Sequence, residues 1–283
     1  MREHVSVPSV AARKRARGAP PIVMVTAYDT PFARIVDEAG ADVILVGDSV
    51  GNNVLGYENS LAVDMGQMIH HVAAVARAKP AALIVGDLPW MSYHVDLADT
   101  VRNAAALVRA GAQAVKLEGG RRRIPAVRAI LDAEIPVMGH LGLTPQSVHA
   151  MGGYVVQGKD ADAARQLEDD ACALADTGCF AVVLEGLPDL VAERVTASIG
   201  VPTIGIGAGP ACDGQVLVLH DLLGLSFGPA PKFVRRYADL GTAAREAIAA
   251  FARDVVAGSY PSPDETYHAS AELRRNLGEA SAH

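Results

Sequence analysis

The sequence predicts a (β/α)8 TIM barrel with an N-terminal helical extension and a C-terminal surface tail. Three observations predict it. Eight short, β-rich apolar runs alternate with Ala-rich helical stretches along the chain. Most of these runs lack polar/apolar alternation, which marks strands buried on both faces, as in a parallel sheet. The first run leads into Thr26-Ala27-Tyr28-Asp29, not into the Gly-rich phosphate loop with which a doubly wound open sheet begins.

The elements follow in order. The basic run Arg13, Lys14, Arg15 and Arg17 precedes Gly18-Ala19-Pro20-Pro21. It reads as the solvated face of a helix that stops at the Gly/Pro break, so residues 1–19 form the extension. The barrel, residues 20–259, takes its strands from 22–27, 42–48, 81–87, 114–118, 135–140, 179–185, 201–209 and a weaker run at 216–225. The intervening stretches, such as PFARIVDEAGA and TVRNAAALVRAGA, are rich in helix formers. Several end at Gly just before the next run, at Gly40, Gly111, Gly178 and Gly200, where a helix stop is expected. From about Tyr260 the chain is polar with no sustained apolar stripe, so 260–283 reads as a tail with room for one short helix.

Composition narrows the function. Among 283 residues, 32 acidic side chains face 25 basic ones, a net charge of -7. That balance argues against a nucleic-acid binder or an anionic-membrane protein, both of which need basic surface. Apolar runs such as 81–86 are far too short to span a membrane. The N-terminus has no apolar stretch behind its charges, so no secretory signal is expected. Three cysteines, Cys172, Cys179 and Cys212, make no disulfide framework in a chain this long and fit a reducing compartment. The expected location is the cytoplasm.

Barrel active sites form at the C-terminal ends of the strands. Strand one ends near Thr26, Tyr28 and Asp29, strand two in Asp48-Ser49 and strand three in Asp87. Strand four carries Lys116 and Glu118, strand five ends in His140 and strand six in Glu185. A single acid at a strand end is more often a helix cap or turn former. Three from consecutive strands, Asp48, Asp87 and Glu118, are harder to explain that way. Neighbouring strands lie roughly 5 Å apart, so the carboxylates would repel and raise one another's pKa values. A hard divalent cation removes that cost, and oxygen-only ligands favour Mg2+, Mn2+ or Ca2+ over Zn2+. Because Mg2+ takes only one or two direct carboxylates, some of the three are expected to act through water. Glu185 stands across the barrel mouth among Leu184, Gly186, Leu187 and Pro188. Desolvation there would suit it to general-base work. Lys116 and Glu118 are two apart on a strand and share a face. Lys116 is therefore placed to anchor a substrate carboxylate, with an internal ion pair to Glu118 as the plainer alternative.

Other features take plain readings. His70-His71 lies in a helical stretch without metal-ligand spacing to any acid and reads as surface or packing. Arg121-Arg122-Arg123 reads as a solvated helix start, with a polyanionic cosubstrate tail as the functional alternative. Glu168-Asp169-Asp170 reads as an exposed helix face. The Gly205–Gly209 cluster is a weak nucleotide signature, because no acidic residue and βαβ unit follow at the needed spacing.

The strings TAYD (26–29), VGDS (46–49), DLPW (87–90), VKLEGG (115–120), GHLGLTPQS (139–147), GGY (152–154), GIGAG (205–209) and DGQVLV (213–218) occur in this order. Together they closely resemble the ketopantoate hydroxymethyltransferase family, over about residues 10–260. The resemblance implies a Mg2+-dependent barrel that forms a homo-oligomer, often a decamer. It implies hydroxymethyl transfer from 5,10-methylenetetrahydrofolate to 3-methyl-2-oxobutanoate, giving 2-dehydropantoate for pantothenate biosynthesis through a metal-stabilised enolate. Carried over by motif, Asp48, Asp87 and Glu118 surround the metal. Asp48, Ser49, Asp87, Lys116 and His140 contact the ketoacid, and Glu185 is the base.

The sequence departs from the family pattern in three places. The segment 51–64 lacks the usual string after VGDS, Trp90 stands where Phe is frequent, and Gly186 follows the base where Cys is common. These changes bear on the lid and on folate contacts, not on the metal or base positions. The alternative reading is another Mg2+-dependent 2-oxoacid enzyme, of the phosphoenolpyruvate mutase/isocitrate lyase type. That type uses a Cys on a mobile loop. Here Cys172 and Cys179 lie in or at the end of a helical stretch, and Cys212 lies beyond the Gly cluster. A barrel that has lost its activity is the third possibility, and the clustered carboxylates argue against it.

Overall fold

The computed structural model describes residues 3–14, 18–228 and 230–277. Among these, eight parallel strands close in chain order into a barrel. They are β1 (Ile22–Thr26), β2 (Val43–Val46), β3 (Leu83–Asp87), β4 (Ala114–Glu118), β5 (Val137–Gly142), β6 (Ala181–Glu185), β7 (Thr203–Ile206) and β8 (Gly214–Leu217). Closure comes from β8 against β1, with Ile22 opposite Gly214 and Val25 opposite Leu217. Helix α1 (Val7–Ala11) precedes the barrel; α2 (Thr30–Glu38), α3 (Met65–Ala76), α4 (Leu97–Ala110) and α5 (Ile124–Asp132) follow the first four strands. Helices α6 (Val148–Met151) and α7 (Ala161–Thr177) follow β5, and α8 (Asp189–Ser198) follows β6. After β8 come α9 (Leu219–Leu223), α10 (Leu240–Ala257) and α11 (Ala271–Asn276).

The unalternated strands are unalternated because both faces are covered. Every residue of β2, β3, β4, β5 and β7 is buried. Inward side chains such as Val43, Leu83, Val85, Met138 and Ile204 fill the barrel. Outward ones such as Ile44, Ile84, Val115 and Val182 pack under the helices. Strands β1 and β8 differ. Val23 on β1 is 50% exposed and Gln215 on β8 is exposed. Helices α2, α3, α4, α5, α7 and α8 pack side by side in that order, and the outer faces of β1 and β8 lie in the stretch of wall beyond them.

Two expectations are corrected. The last strand is not 216–225: it runs Gly214–Leu217, and Leu219–Leu223 is a helix. The strand starts early because Gly214 sits against β1, where a Cβ would lie 2.5 Å from the Ile22 carbonyl oxygen. It stops because the Leu219 N–H turns to Thr26 Oγ1 at 3.0 Å.

Arg13 and Lys14, the described part of the basic run, are not on a solvated helix face. Helix α1 ends at Ala11, before them. Lys14 is buried; its Nζ donates to the carbonyls of Thr196 (2.5 Å) and Val201 (3.2 Å) and pairs with Asp213 at 2.9 Å. Arg13 pairs with Asp42 at 2.6 Å and donates to the Pro21 carbonyl. The physical reason is that carbonyls and two carboxylates at the N-terminal end of the barrel need donors, and these two side chains supply them. Arg15 and Arg17 lie outside the described residues, as does the end of the tail beyond 277.

At the other end, α10 has no buried residue and exposes Ile248, Phe251, Val255 and Val256. Among the described residues no helix is long and apolar enough to cross a membrane.

Candidate active site

The C-terminal rim of the barrel collects the strand-end side chains. Asp48 follows β2, Asp87 closes β3, Lys116 and Glu118 lie on β4, His140 is on β5, and all five are buried. Glu185 closes β6 with its side chain 16% exposed. Pairing sets Asp87 beside Lys116 and Glu118 beside His140. The Glu185 carbonyl accepts from the Leu143 N–H and the Gly186 N–H donates to the Ile206 carbonyl. The Glu185 backbone is thus held from both sides.

The side chains form one connected set. Lys116 Nζ lies 2.8 Å from Asp87 Oδ2, so the lysine's ion-pair partner is Asp87 and not Glu118. The same oxygen accepts from the Asp48 N–H at 3.3 Å. His140 Nδ1 lies 3.4 Å from both Lys116 Nζ and Glu118 Oε1, and Nε2 lies 3.2 Å from Glu185 Oε2. Ser49 Oγ shares a 2.8 Å hydrogen bond with Tyr28 Oη. The divergent 51–64 segment folds into a π-helical turn, Gly51–Leu55, and a 3-10 turn, Ser60–Ala62. Asn53 in that turn donates to the Ser49 carbonyl at 2.8 Å. Asp29, at the rim by sequence, caps α2 by accepting from the Phe32 N–H instead. His71 fills a packing role, with Nδ1 2.7 Å from the Tyr28 carbonyl.

Charge at the site is unbalanced. Burial, then the Asp87 and Glu118 charges, hold the Asp48 carboxyl well above the usual carboxylate range. Burial also raises Asp87, against the pull of Lys116. Burial and the Lys116 charge press on the His140 imidazole, but contacts with Glu118 and Glu185 outweigh them and raise it to about 9. Burial acts on the Lys116 ammonium in the same way, and the Asp87, Glu118 and Asp48 charges overcome it, so its pKa is raised. With all groups ionised, four carboxylates face two cations, an excess of two negative charges.

The donor set fits a hard divalent cation. Asp87 Oδ1 is buried without a hydrogen-bond partner, and such an orphan carboxylate oxygen calls for a cation or water. Among the described residues no three His, Cys, Asp or Glu side chains form a ready-made metal shell.

Two site residues escaped the sequence reading. Gln146, in the 3-10 turn Pro145–Ser147, donates through Nε2 to Asp48 Oδ2 at 2.9 Å and through its backbone N–H to Glu118 Oε2 at 3.0 Å. Tyr93 donates to Gln146 Oε1 at 2.6 Å. Gln146 belongs to the GHLGLTPQS string, but nothing in the string assigns it a contact. Beside them opens a cavity of about 540 Å³ lined by Tyr93, His94, Glu118, Arg122, Arg123 and Gln146 among others. Arg121 is partly committed, 4.0 Å from Asp170.

Comparison with known proteins gives the same family that the motifs suggest. The family model described as ketopantoate hydroxymethyltransferase matches residues 4–263. A 3-methyl-2-oxobutanoate hydroxymethyltransferase of Methylobacterium sp. (strain 4-46) is 57% identical over 256 residues, 90% of this chain and 89% of that protein. One of Ignicoccus hospitalis is 57% identical over 249 residues, 88% of this chain and 94% of its own. Among solved structures, 2,3-dimethylmalate lyase, a PEP mutase/isocitrate lyase superfamily member, superposes with a TM-score of 0.58 at 17% identity, covering 98% of this chain and 96% of that one. Phosphonopyruvate hydrolase in complex with oxalate and Mg++ gives 0.59 at 15% identity, covering 96% and 95%. At such identities the structural likeness speaks for the barrel fold alone, whereas the sequence relationship spans nearly the whole chain: it belongs to the ketopantoate hydroxymethyltransferase family.

Proposed function

We propose that the protein transfers a hydroxymethyl group from 5,10-methylenetetrahydrofolate to 3-methyl-2-oxobutanoate, giving 2-dehydropantoate, in the cytoplasm. The observation that carries this reading is the bridge at His140. One ring nitrogen faces Glu118 of the buried carboxylate cluster and the other faces Glu185 on the next strand.

Asp48, Asp87 and Glu118 are the groups that would hold Mg2+. When bound, Mg2+ would supply Lewis-acid stabilisation of the negative charge that develops on the keto oxygen. Lys116 offsets the substrate's carboxylate charge, and Asp48, Ser49, Asp87 and His140 fix the ketoacid. Tyr28 and Asn53 steady Ser49 from either side. Glu185 takes the C3 proton onto its carboxylate. The resulting carbanion carbon bonds to the folate methylene carbon, both C–N bonds of that methylene break, water supplies the hydroxyl, and the two folate nitrogens take up the C3 proton and one proton of the water. Arg122 and Arg123, on the cavity beside Glu118, suit the acidic tail of the folate.

A homo-oligomer, of decamer size in this reading, is supported at the surface. The outer faces of β1 and β8 are uncovered while α10 offers an apolar face with nothing buried. A second copy can satisfy both. An odd count of three cysteines in a chain this long fits a reducing compartment.

The test is proton NMR of 3-methyl-2-oxobutanoate in D2O with enzyme and Mg2+, without folate. The C3–H signal should disappear, and EDTA or Glu185→Gln should stop the exchange. Exchange that fails both without folate and with a folate analogue sinks the assignment.

A further inference from the structure

Gln146 occupies a place that the family's reaction chemistry does not by itself call for. Its backbone turn begins at Gly142, whose φ of 94° lets the chain fold beneath the Glu185 carbonyl; a Cβ there would lie 2.2 Å from that oxygen. The turn delivers Gln146, 5% exposed, between two carboxylates from different strands. Its amide has two donors and one acceptor group. Both donors are used, on Asp48 Oδ2 at 2.9 Å and the Leu88 carbonyl at 3.0 Å. A carbonyl oxygen only accepts, so the Leu88 contact fixes which end of the amide is nitrogen. The acceptor end receives the Tyr93 hydroxyl at 2.6 Å. That hydroxyl in turn accepts from the Glu118 N–H at 3.2 Å. The backbone N–H of Gln146 occupies Glu118 Oε2.

We infer that Gln146, oriented by the Tyr93 hydroxyl, is a positioning residue that engages one oxygen each of Asp48 and Glu118 and so fixes the two carboxylates around the place where a divalent cation would sit. The inference rests on the proposal that these carboxylates hold Mg2+. The amide is suited to the task because it is neutral. It donates to a carboxylate without adding a charge that would compete with the ion, and it stays a donor at every pH. Groups that orient metal ligands in this way change metal affinity or activity by roughly 10- to 100-fold when removed.

The test uses the full chain and Mg2+ alone. Mg2+ is titrated calorimetrically into the wild type, Gln146→Leu and Tyr93→Phe, with circular dichroism to confirm folding. Mg2+ affinity should fall about 10- to 100-fold in Gln146→Leu and by a smaller factor in Tyr93→Phe, which keeps the amide and loses its orienting partner. Turnover of Gln146→Leu should recover as Mg2+ is raised past the new Kd, a rescue that a merely misfolded site would not show. If Gln146→Leu does not fold, Tyr93→Phe carries the test. Wild-type affinity in the folded variants overturns the inference. A wild type that binds no divalent cation takes down the metal reading itself, and the wild-type titration identifies that case first.

Discussion

Nε2 of His140 lies 3.2 Å from Oε2 of Glu185, yet off the line of a well-formed hydrogen bond, so the nitrogen has no aligned partner. The ring's other nitrogen faces Glu118 and Lys116. The imidazole is therefore pinned on the cluster side and open on the base side. That arrangement can steady the Glu185 carboxylate while leaving it free to swing toward a substrate carbon. We expect Glu185→Gln to lower folate-independent C3–H exchange by about 10² to 10⁴-fold, the usual worth of a general base. His140→Asn should lower it by a smaller factor and leave Mg2+ binding measurable. Wild-type exchange in Glu185→Gln would remove it from the base role.

The pH dependence of metal stabilisation follows from Asp48 and Asp87. Both carboxyls are raised in the folded protein, first by burial. A raised folded pKa means that the folded state binds protons more tightly than the unfolded one. Metal-free stability from these groups is thus present at low pH and lost as pH rises through the folded values. Mg2+ binds the ionised form and must displace those protons. The Tm increase at fixed Mg2+ should therefore grow as pH rises through the raised folded values of these carboxyls. Asp48→Asn combined with Asp87→Asn should flatten that growth. A Mg2+ shift equal at every pH would contradict the assignment of these carboxylates to the ion.

Much of this was legible in the sequence, for identifiable reasons. Strands β2 to β7 are buried on both faces, and that burial writes itself as continuous apolar runs. The acids Asp48, Asp87, Glu118 and Glu185 were legible because a barrel gathers its strand ends on one rim. The last strand was misplaced because VLVLHDLL is apolar throughout, and such a run does not separate strand from short helix. Lys14 was missed because a row of basic residues carries no mark of which member is drawn inside. Gln146 and Tyr93 are neutral residues on loops after β5 and β3, where neither periodicity nor charge points to a role.

Lys14 gives a stability test away from the rim. Its ammonium is the buried partner of Asp213 and also satisfies two carbonyls. Lys14→Met takes that buried ammonium away from Asp213, which keeps its Thr203 hydrogen bonds. Breaking a buried pair from one side costs about 3–5 kcal/mol, which lowers Tm by on the order of 10 °C in a chain of this size. Thermal denaturation monitored by circular dichroism measures it. A change under about 2 °C would mean that Lys14 contributes little to the closed end of the barrel.

Arg122 and Arg123 separate the two half-reactions. If they hold the folate tail, their joint replacement by Ala should raise KM for a polyglutamylated folate by about tenfold or more, since each charge-assisted contact is worth about 1.5–3 kcal/mol. Ketoacid exchange without folate should be unaffected in Arg122→Ala alone, whereas Arg123 also lies over the Tyr93 ring, 5.6 Å from its centroid, and its loss can reach the carboxylates through Gln146. Steady-state kinetics with mono- and polyglutamylated folate read this directly. An equal KM for both in the wild type would place the tail elsewhere.

The assembly has a sharp handle in α10. An 18-residue helix with no buried residue, carrying Ile248, Phe251, Val255 and Val256 in the open, has no reason to persist on an isolated chain. Phe251 makes an edge contact with Tyr260, ring centroids 5.1 Å apart, and stays 54% exposed. The barrel meanwhile leaves Val23 half exposed on β1. Burial of an apolar side chain is worth about 1.5–3 kcal/mol, so four such residues supply enough to hold copies together. We expect the wild type to sediment as a large oligomer. Phe251→Asp combined with Val255→Asp should yield smaller species with a lower Tm, because burying two carboxylates in the interface opposes association. Analytical ultracentrifugation at several concentrations distinguishes the outcomes. A monomeric wild type, or a variant with unchanged mass, would show that α10 is not the contact that assembles the protein.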